Sequence, residues 1–414
     1  MPTRRRLLPK CTLAGAVLLV GCDRAADRAP TALPSGTMQQ EVAAYDDQLQ
    51  PAPFDGAVVA PAPLDVDVTQ LLPETVELLT PAVCGDVTVY DQEDLATLCS
   101  PTTLAATPIV SPTCPQTVSG SVRLETDLIC TNTNGLIVGS DNTVIDLNGH
   151  RIVCTGAGYF GSCQGGSVQV GISANNYRNV HIFSHLPEGT IDGFDRGIRV
   201  PANSRNVKVK QIIVTGPAGA AGVPRPPFMI GISITGVGCD GGTVRIGGGT
   251  QTANEISHHS RGVEADFSAC VYIGANRVHD NRKNILVPVG GSHAVGIILF
   301  SSSNNHIRSN LVTHNADGFA IEGGIALAGL GVTSPPTTSN LVVNNESDEN
   351  DGNGVETIQG ATDNDIVNNQ MLRNANIDAF SDQSGVNSWN ENNQCVTQTT
   401  PQPPPGVCSP DDAP

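Results

Sequence analysis

Residues 258 to 266 read HHSRGVEAD and place two carboxyl groups, two imidazoles and one guanidinium within nine positions. Glu264 and Asp266 are two residues apart, so on an extended chain they point the same way. A carboxylate pair with His259 and Arg261 beside it is suitable material for general acid and base work on a sugar ring. A second short run, RGIRV, brings Arg196 and Arg199. If both runs are strands stacked at a spacing of about 4.8 Å, Arg199 and Glu264 stand roughly 10 Å apart with Ser233 between them. On that reading Arg199, His259, Glu264 and Asp266 are the candidate catalytic residues, and Arg196 and Arg261 hold the substrate. The competing reading is an exposed charged ladder on a sheet face. A one-residue error of register would also turn Glu264 inward.

Such a site needs many short, stacked strands, and the sequence announces them by repetition. In SNNHIRSNLVTHN, Asn305, Asn310 and Asn315 recur at intervals of five; Asn340, Asn345 and Asn350 repeat the step, as do Asn364, Asn369 and Asn374. Apolar and polar residues alternate in runs closed by Asn, Asp or Gly, which is a strand-and-turn rhythm and not the 3.6 period of a helix. Three short strands per unit describe a parallel β-solenoid, with Asn at the bends bonding to its counterpart in the next coil. Asn310, Asn345 and Asn369 are expected in one column, with Asn276 continuing it. A glycine followed by an inward apolar residue opens each unit, at Gly171-Ile172, Gly197-Ile198, Gly231-Ile232, Gly262-Val263, Gly296-Ile297, Gly318-Phe319 and Gly354-Val355. The outward slot two residues after each glycine then holds Ser173, Arg199, Ser233, Glu264, Ile298, Ala320 and Glu356. Steps between these glycines run from 22 to 36 residues, so several coils carry insertions, as at Gly216 to Met229 and Arg282 to His293. Insertions in repeats tend to gather on the binding face, and these two could wall a groove.

DNTVIDLNGHRIVCTG from Asp141 to Gly156, the recurring N-x-[IV]-x-x-N coils and the closing VNSWNENNQC from Val386 to Cys395 resemble right-handed parallel β-helix repeat proteins of the pectate-lyase-like superfamily. The resemblance implies an all-β, three-faced right-handed parallel β-helix over residues 115–395. That fold hosts polysaccharide lyases, hydrolases and epimerases, accessory proteins for metal enzymes and members without known activity. The polygalacturonase pattern of paired Asp with Gly-His-Gly and Arg-Ile-Lys is absent, as is the Asp-Pro-His-Asp or Asp-Pro-His-Glu element of alginate epimerases. In the β-helix lyases an Arg or Lys abstracts a proton and Ca²⁺ neutralises the uronate, so Ca²⁺ is the one cofactor that the resemblance implies. No residues are assigned to a metal: in ESDENDGNG, from Glu346 to Gly354, an EF-hand register would need its bidentate Glu where Gly360 stands, so the segment reads as a turn.

The N-terminus speaks to compartment. Arg4, Arg5, Arg6 and Lys10 precede an apolar stretch from Cys11 to Val20, and Leu19-Val20-Gly21-Cys22 matches a bacterial lipoprotein box. Residues 1–21 are therefore expected to leave as a signal peptide and Cys22 to be lipidated, anchoring an exported protein in the cell envelope. The apolar stretch is too short to cross a bilayer. RRRLL also loosely resembles a twin-arginine signal, which leaves the export route open. Residues 22–83, rich in Ala, Pro and acidic side chains, read as a disordered tether. Residues 84–114 form a Cys-containing cap segment and residues 396–414 a C-terminal tail.

Ten of the twelve cysteines remain once Cys11 and Cys22 are set aside, an even number that favours disulfides in an exported chain. Cys154 with Cys163 and Cys239 with Cys270 would close short loops or tie adjacent coils. After loss of the signal the chain keeps 18 basic against 40 acidic residues, a balance that repels nucleic acid at long range. Residues 178–283 alone hold 12 of those basic residues against 8 acidic ones. The middle coils should thus form a basic band between acidic ends. Aromatic residues are only 4% of the chain, which disfavours stacking platforms for neutral sugars or single strands. Two functions stay open. One is an envelope enzyme that cleaves or epimerises an acidic polysaccharide; the other is a non-catalytic, lipid-anchored solenoid that binds an envelope glycan or protein. Either is expected to be a monomer.

Overall fold

A computed structural model describes residues 105–156, 168–217, 229–240, 242–248, 252–282, 294–315, 323–329, 334–390, 392–399 and 407–408, together with the backbone of an antiparallel hairpin, Glu77–Cys84 with Val87–Asp91. Cys22, the signal segment and most of the expected tether lie outside the described residues. The hairpin falls across the boundary expected at 83, so residues 77–83 are strand. Parallel stacking starts at Thr107–Ile109, ahead of the expected 115. At the other end Ala379 bridges Gln398, and a disulfide joins Cys395 to Cys408, so the tail folds back on the last coil.

Three parallel sheets wind along the rod, of ten, eleven and seven strands, and a further two-stranded pair, Gln370–Met371 with Gln394–Cys395, follows on the third face. Most coils contribute one strand to each sheet; the coil of Gly323–Ala328 and Leu341–Val343 meets the third face only through bridges at Glu346. The fold is a right-handed parallel β-helix, with the inner residue of every strand in one continuous apolar core. Ile172, Ile198, Ile232, Val263, Ile297 and Val355 align as partners along the first sheet and are all fully buried.

One expected coil opening is displaced. Gly318-Phe319 lies outside the described residues, and the strand that pairs with Val295–Phe300 is Gly323–Ala328, with Ile325 opposite Ile297. The sequence GFAIEGGIALAG contains two Gly-apolar pairs, and Gly324-Ile325 is the one in register. The slot assigned to Ala320 therefore belongs to Ala326.

Why glycine opens each strand is a matter of space. A Cβ on Gly262 would come within 2.5 Å of the Gly296 carbonyl oxygen and 2.9 Å of the Asn281 amide nitrogen. The same collision recurs at Gly231, Gly296, Gly324 and Gly354 with the carbonyl of the next coil. Backbone meets backbone here, so only a residue without a side chain fits.

Among the described residues, buried asparagines form three hydrogen-bonded columns. In the middle column the Asn254, Asn276, Asn310, Asn345 and Asn369 amides each donate to the side-chain oxygen of the next, ending at Asn393, at 2.9–3.1 Å. Asn305, Asn340, Asn364 and Asn387 form a second, at 2.8–2.9 Å. Asn281, Asn315, Asn350 and Asn374 form a third, which closes on Asp378 at 2.9–3.0 Å. Each column satisfies turn amides that would otherwise be buried without partners. The left-handed residue at each bend is the one before the ladder Asn, as at Asn304, Ser309 and His314 or Ser339, Asn344 and Glu349. The ladder Asn supplies the hydrogen bonds, and its neighbour supplies the bend.

Candidate functional site

The outward slot of the first sheet is as the strand alternation requires. Ser173, Arg199, Ser233, Glu264, Ile298, Ala326 and Glu356 are successive Cα partners in adjacent coils. Glu264 therefore faces away from the apolar core, and Ser233 separates it from Arg199. Asp266 lies two residues on, in the row of Thr235 and Phe300. Arg196 and Arg261 share a third row on either side of Ile230. Five of the six candidate residues thus meet on one face.

The sixth does not. His259 is fully buried, and its backbone N–H donates to Asn281 Oδ1 at 3.0 Å. Its ring stands to Gly231 as the Asn281 amide stands to Gly262, within 3.2 Å of where a Cβ would be. His258 before it has a left-handed backbone, as Asp280 before Asn281 does. His259 accordingly occupies a ladder position and heads the third column. The signal was present in the sequence: His259 follows Asn254 by the same five-residue step that separates Asn276 from Asn281.

The charges on the face are unequally partnered. The Arg261 guanidinium donates to Glu264 Oε2 and also lies over the Phe300 ring, 5.1 Å from its centroid. Burial, reinforced by the negative charge of Glu264, pushes the Asp266 carboxyl up to about 6, against the pull of Arg261 and Arg196. Asp266 Oδ1 is buried without a hydrogen-bond partner among the described residues. Arg196 is shifted down by burial first; the negative charge of Glu264 opposes the shift, and the positive charges of Arg199 and Arg261 add to it. Arg199 is exposed. Sequence reasoning missed Ser233 as a candidate: it was read as a spacer, yet it is fully buried and its hydroxyl has no partner among the described residues.

Beyond Glu264 the same face turns apolar. Val295, Ile298, Phe300, Ala326, Ala328 and Ile358 form a second buried cluster, separate from the main core. Past it, Asn353 donates to Glu356 Oε2 at 2.8 Å, in the rows of Arg261 and Glu264. The crossings from the third sheet into the first contain the segments 157–167, 218–228, 283–293 and 316–322, all outside the described residues. The two insertions expected to wall a groove are among them.

The basic band divides among faces. Arg178, Arg205, Lys208, Lys210 and Arg245 belong to second-sheet strands and Arg277 to a third-sheet strand, so among the described strand residues only Arg196, Arg199 and Arg261 reach the candidate face. Among the described residues no group of three or more His, Cys, Asp or Glu is placed to hold a metal ion. The segment from Glu346 to Gly354 is a turn: Asn350 belongs to the third ladder, Ser347 Oγ donates to the Gly354 carbonyl, and Asp348 accepts from Gln370 Nε2 and the Leu372 N–H.

A parallel β-helix with a charged patch on one outer face is the class that fold and site define. Residues 228–399 match the family model described as a right handed beta helix region. Among solved structures, the A-module of the mannuronan C-5 epimerase AlgE4 from Azotobacter vinelandii is similar with a TM-score of 0.39 and 11% identity, over 71% of this chain and 85% of that one. A DFA-IIIase from Arthrobacter chlorophenolicus, solved in complex with DFA-III, is similar with a TM-score of 0.38 and 10% identity, over 67% of this chain. The match spans 60% of the DFA-IIIase chain. Likenesses at this level say nothing about activity, and the fold rests on the strand pairing itself. No curated protein matches the chain in sequence.

Proposed function

We propose that this is an exported, lipid-anchored protein of the cell envelope that binds an acidic polysaccharide on the first-sheet face and cleaves or epimerises it there. The observation that carries the proposal is the carboxylate pair: Glu264 and Asp266 share one outward face, and their surroundings differ. Glu264 is held by the Arg261 guanidinium, whereas Asp266 is half-buried beside it, with its carboxyl pushed up to about 6. A carboxyl group that keeps its proton toward neutral pH, beside a second carboxylate, is what acid–base chemistry on a sugar ring requires. Asp266 is the proton donor and Glu264 the acceptor. Arg196 and Arg199 hold the acidic polymer against them. His259, enclosed in the ladder, has a positioning role at most.

Glu264 is also only 7% exposed, and that observation favours a second reading, in which the face binds glycan without turnover. The two readings separate on a panel of uronate polymers incubated with the full chain. Release of reducing ends, of unsaturated ends absorbing in the ultraviolet, or of the C5 epimer supports the enzyme. Tight binding without any of these supports the module, and neither binding nor turnover on any acidic polymer overturns both. The anchor rests on the lipoprotein box at Cys22. Mass spectrometry of the protein from native membranes should show Cys22 as an acylated N-terminus, and an unmodified Cys22 would remove the anchor from the account.

A further inference from the structure

Three buried polar atoms on the candidate face have no partner among the described residues. Arg196 Nε and Ser233 Oγ are buried donors without an acceptor among the described residues, and Asp266 Oδ1 is a buried carboxyl oxygen without a partner among them. Buried polar atoms are nearly always paired, so a cluster of orphans asks for an explanation. Strand register brings these together: Arg199 is the Cα partner of Ser233, Arg196 of Ile230, and Ser233 of Glu264. Charge points the same way as hydrogen bonding. Arg199 and Arg261 both push positive charge against Arg196. Glu264 and Asp195 pull the other way, but Glu264 is shared with Arg261 and Asp195 accepts from the Gln169 N–H at 2.9 Å.

We infer that Arg196, Arg199 and Ser233 form a subsite for a single oxyanion of the ligand, set beside the Glu264–Asp266 pair and separate from it. The Arg196 Nε–H and the Ser233 hydroxyl donate from the floor, and Arg199 closes on the group from the solvent side. Carboxylate, sulfate and phosphate esters share the chemistry, since each presents oxygens that accept from a guanidinium edge and a hydroxyl. Ser233 is then a specificity residue: a neutral sugar leaves the Arg196 and Ser233 donors unpaired, and a site built for such donors rejects it. This rests on the reading of the face as a glycan site and goes further by assigning the anionic group to named atoms.

The test uses the full chain and three probes, polygalacturonate for carboxylate, dextran sulfate for sulfate ester and uncharged dextran as the control. Parent binding is measured by calorimetry beside Ser233→Ala and Arg196→Lys, the latter keeping the charge but losing the Nε–H. Both variants should unfold at the parent temperature and bind the preferred polyanion tenfold or more weakly, with KM and not kcat moving if the polymer is turned over. Whichever polyanion binds tighter to the parent identifies the oxyanion. Parent-like affinity in both variants overturns the subsite, as does equal binding of neutral dextran. If the subsite falls but Glu264→Gln still abolishes turnover, the proposed function stands; if the parent binds no acidic polymer, both fall.

Discussion

The most exacting position at the residue scale is the ladder asparagine. Asn310 accepts from the Asn276 backbone and amide and donates to the Ile273 carbonyl and to Asn345 Oδ1. Asn310→Leu fits the space but removes four buried hydrogen bonds, so it should cost at least about 3 kcal/mol in chemical denaturation. A cost under about 1 kcal/mol would mean that the columns are incidental. Asp348 offers a test of opposite sign. Its carboxyl is 1% exposed, and burial raises it from 3.8 to about 6. The folded chain therefore keeps this proton at pH values where the unfolded chain has lost it. Stability from this group is full below the ordinary value and is lost as pH climbs from 3.8 through about 6. Asp348→Asn should flatten that decline, by no more than about 3 kcal/mol at neutral pH. Parent and variant with parallel pH–stability curves would contradict the assignment.

Elements set which of these residues could be read in advance. The slot of Arg199, Ser233 and Glu264 was legible because a strand alternates strictly, so one apolar core residue fixes the direction of its neighbours. Gly318 and Gly324 both precede an apolar residue and both give a plausible coil length, so the pattern that points to Gly318-Phe319 fits Gly324-Ile325 equally. What decides between them is contact in three dimensions: a Cβ on Gly324 would lie 2.6 Å from the Asn350 amide nitrogen. His259 was drawn toward the active face by its chemistry, although its five-residue step from Asn254 marked it as a ladder position. The burial of Ser233 was not legible, since a short hydroxyl on an outward row gives no sign of what surrounds it. The steric account of the glycines predicts that Gly262→Ala destabilises by about 2 kcal/mol or more, because backbone cannot give way to the new methyl. Gly238→Ala, where nothing lies within 4 Å, should be neutral. Equal thermal unfolding of the two variants would show that the close approach is not what selects glycine.

The rod as a whole explains both the fold's stability and the placement of chemistry on it. Stacked coils share one core, and the cross-coil disulfide Cys239–Cys270, with Cys114–Cys130 near the first coils and Cys395–Cys408 at the last, fixes the coil seams. Cys154 is disulfide-bonded as well, to a partner outside the described residues. Such usage accords with export. Thiol titration of the denatured, unreduced chain should find none of these seven cysteines free. With the scaffold rigid, the site is a patch of five side chains from two strands, Arg196–Val200 and Arg261–Asp266, bridged by Ser233. The pH dependence of turnover on the preferred acidic polymer, for parent and Asp266→Asn, tests this most directly. If Asp266 donates the proton, parent activity falls as pH rises through about 6, and Asp266→Asn loses at least tenfold in kcat across the range. Parent-like turnover by Asp266→Asn, with the same pH profile, would show that the chemistry lies on another face.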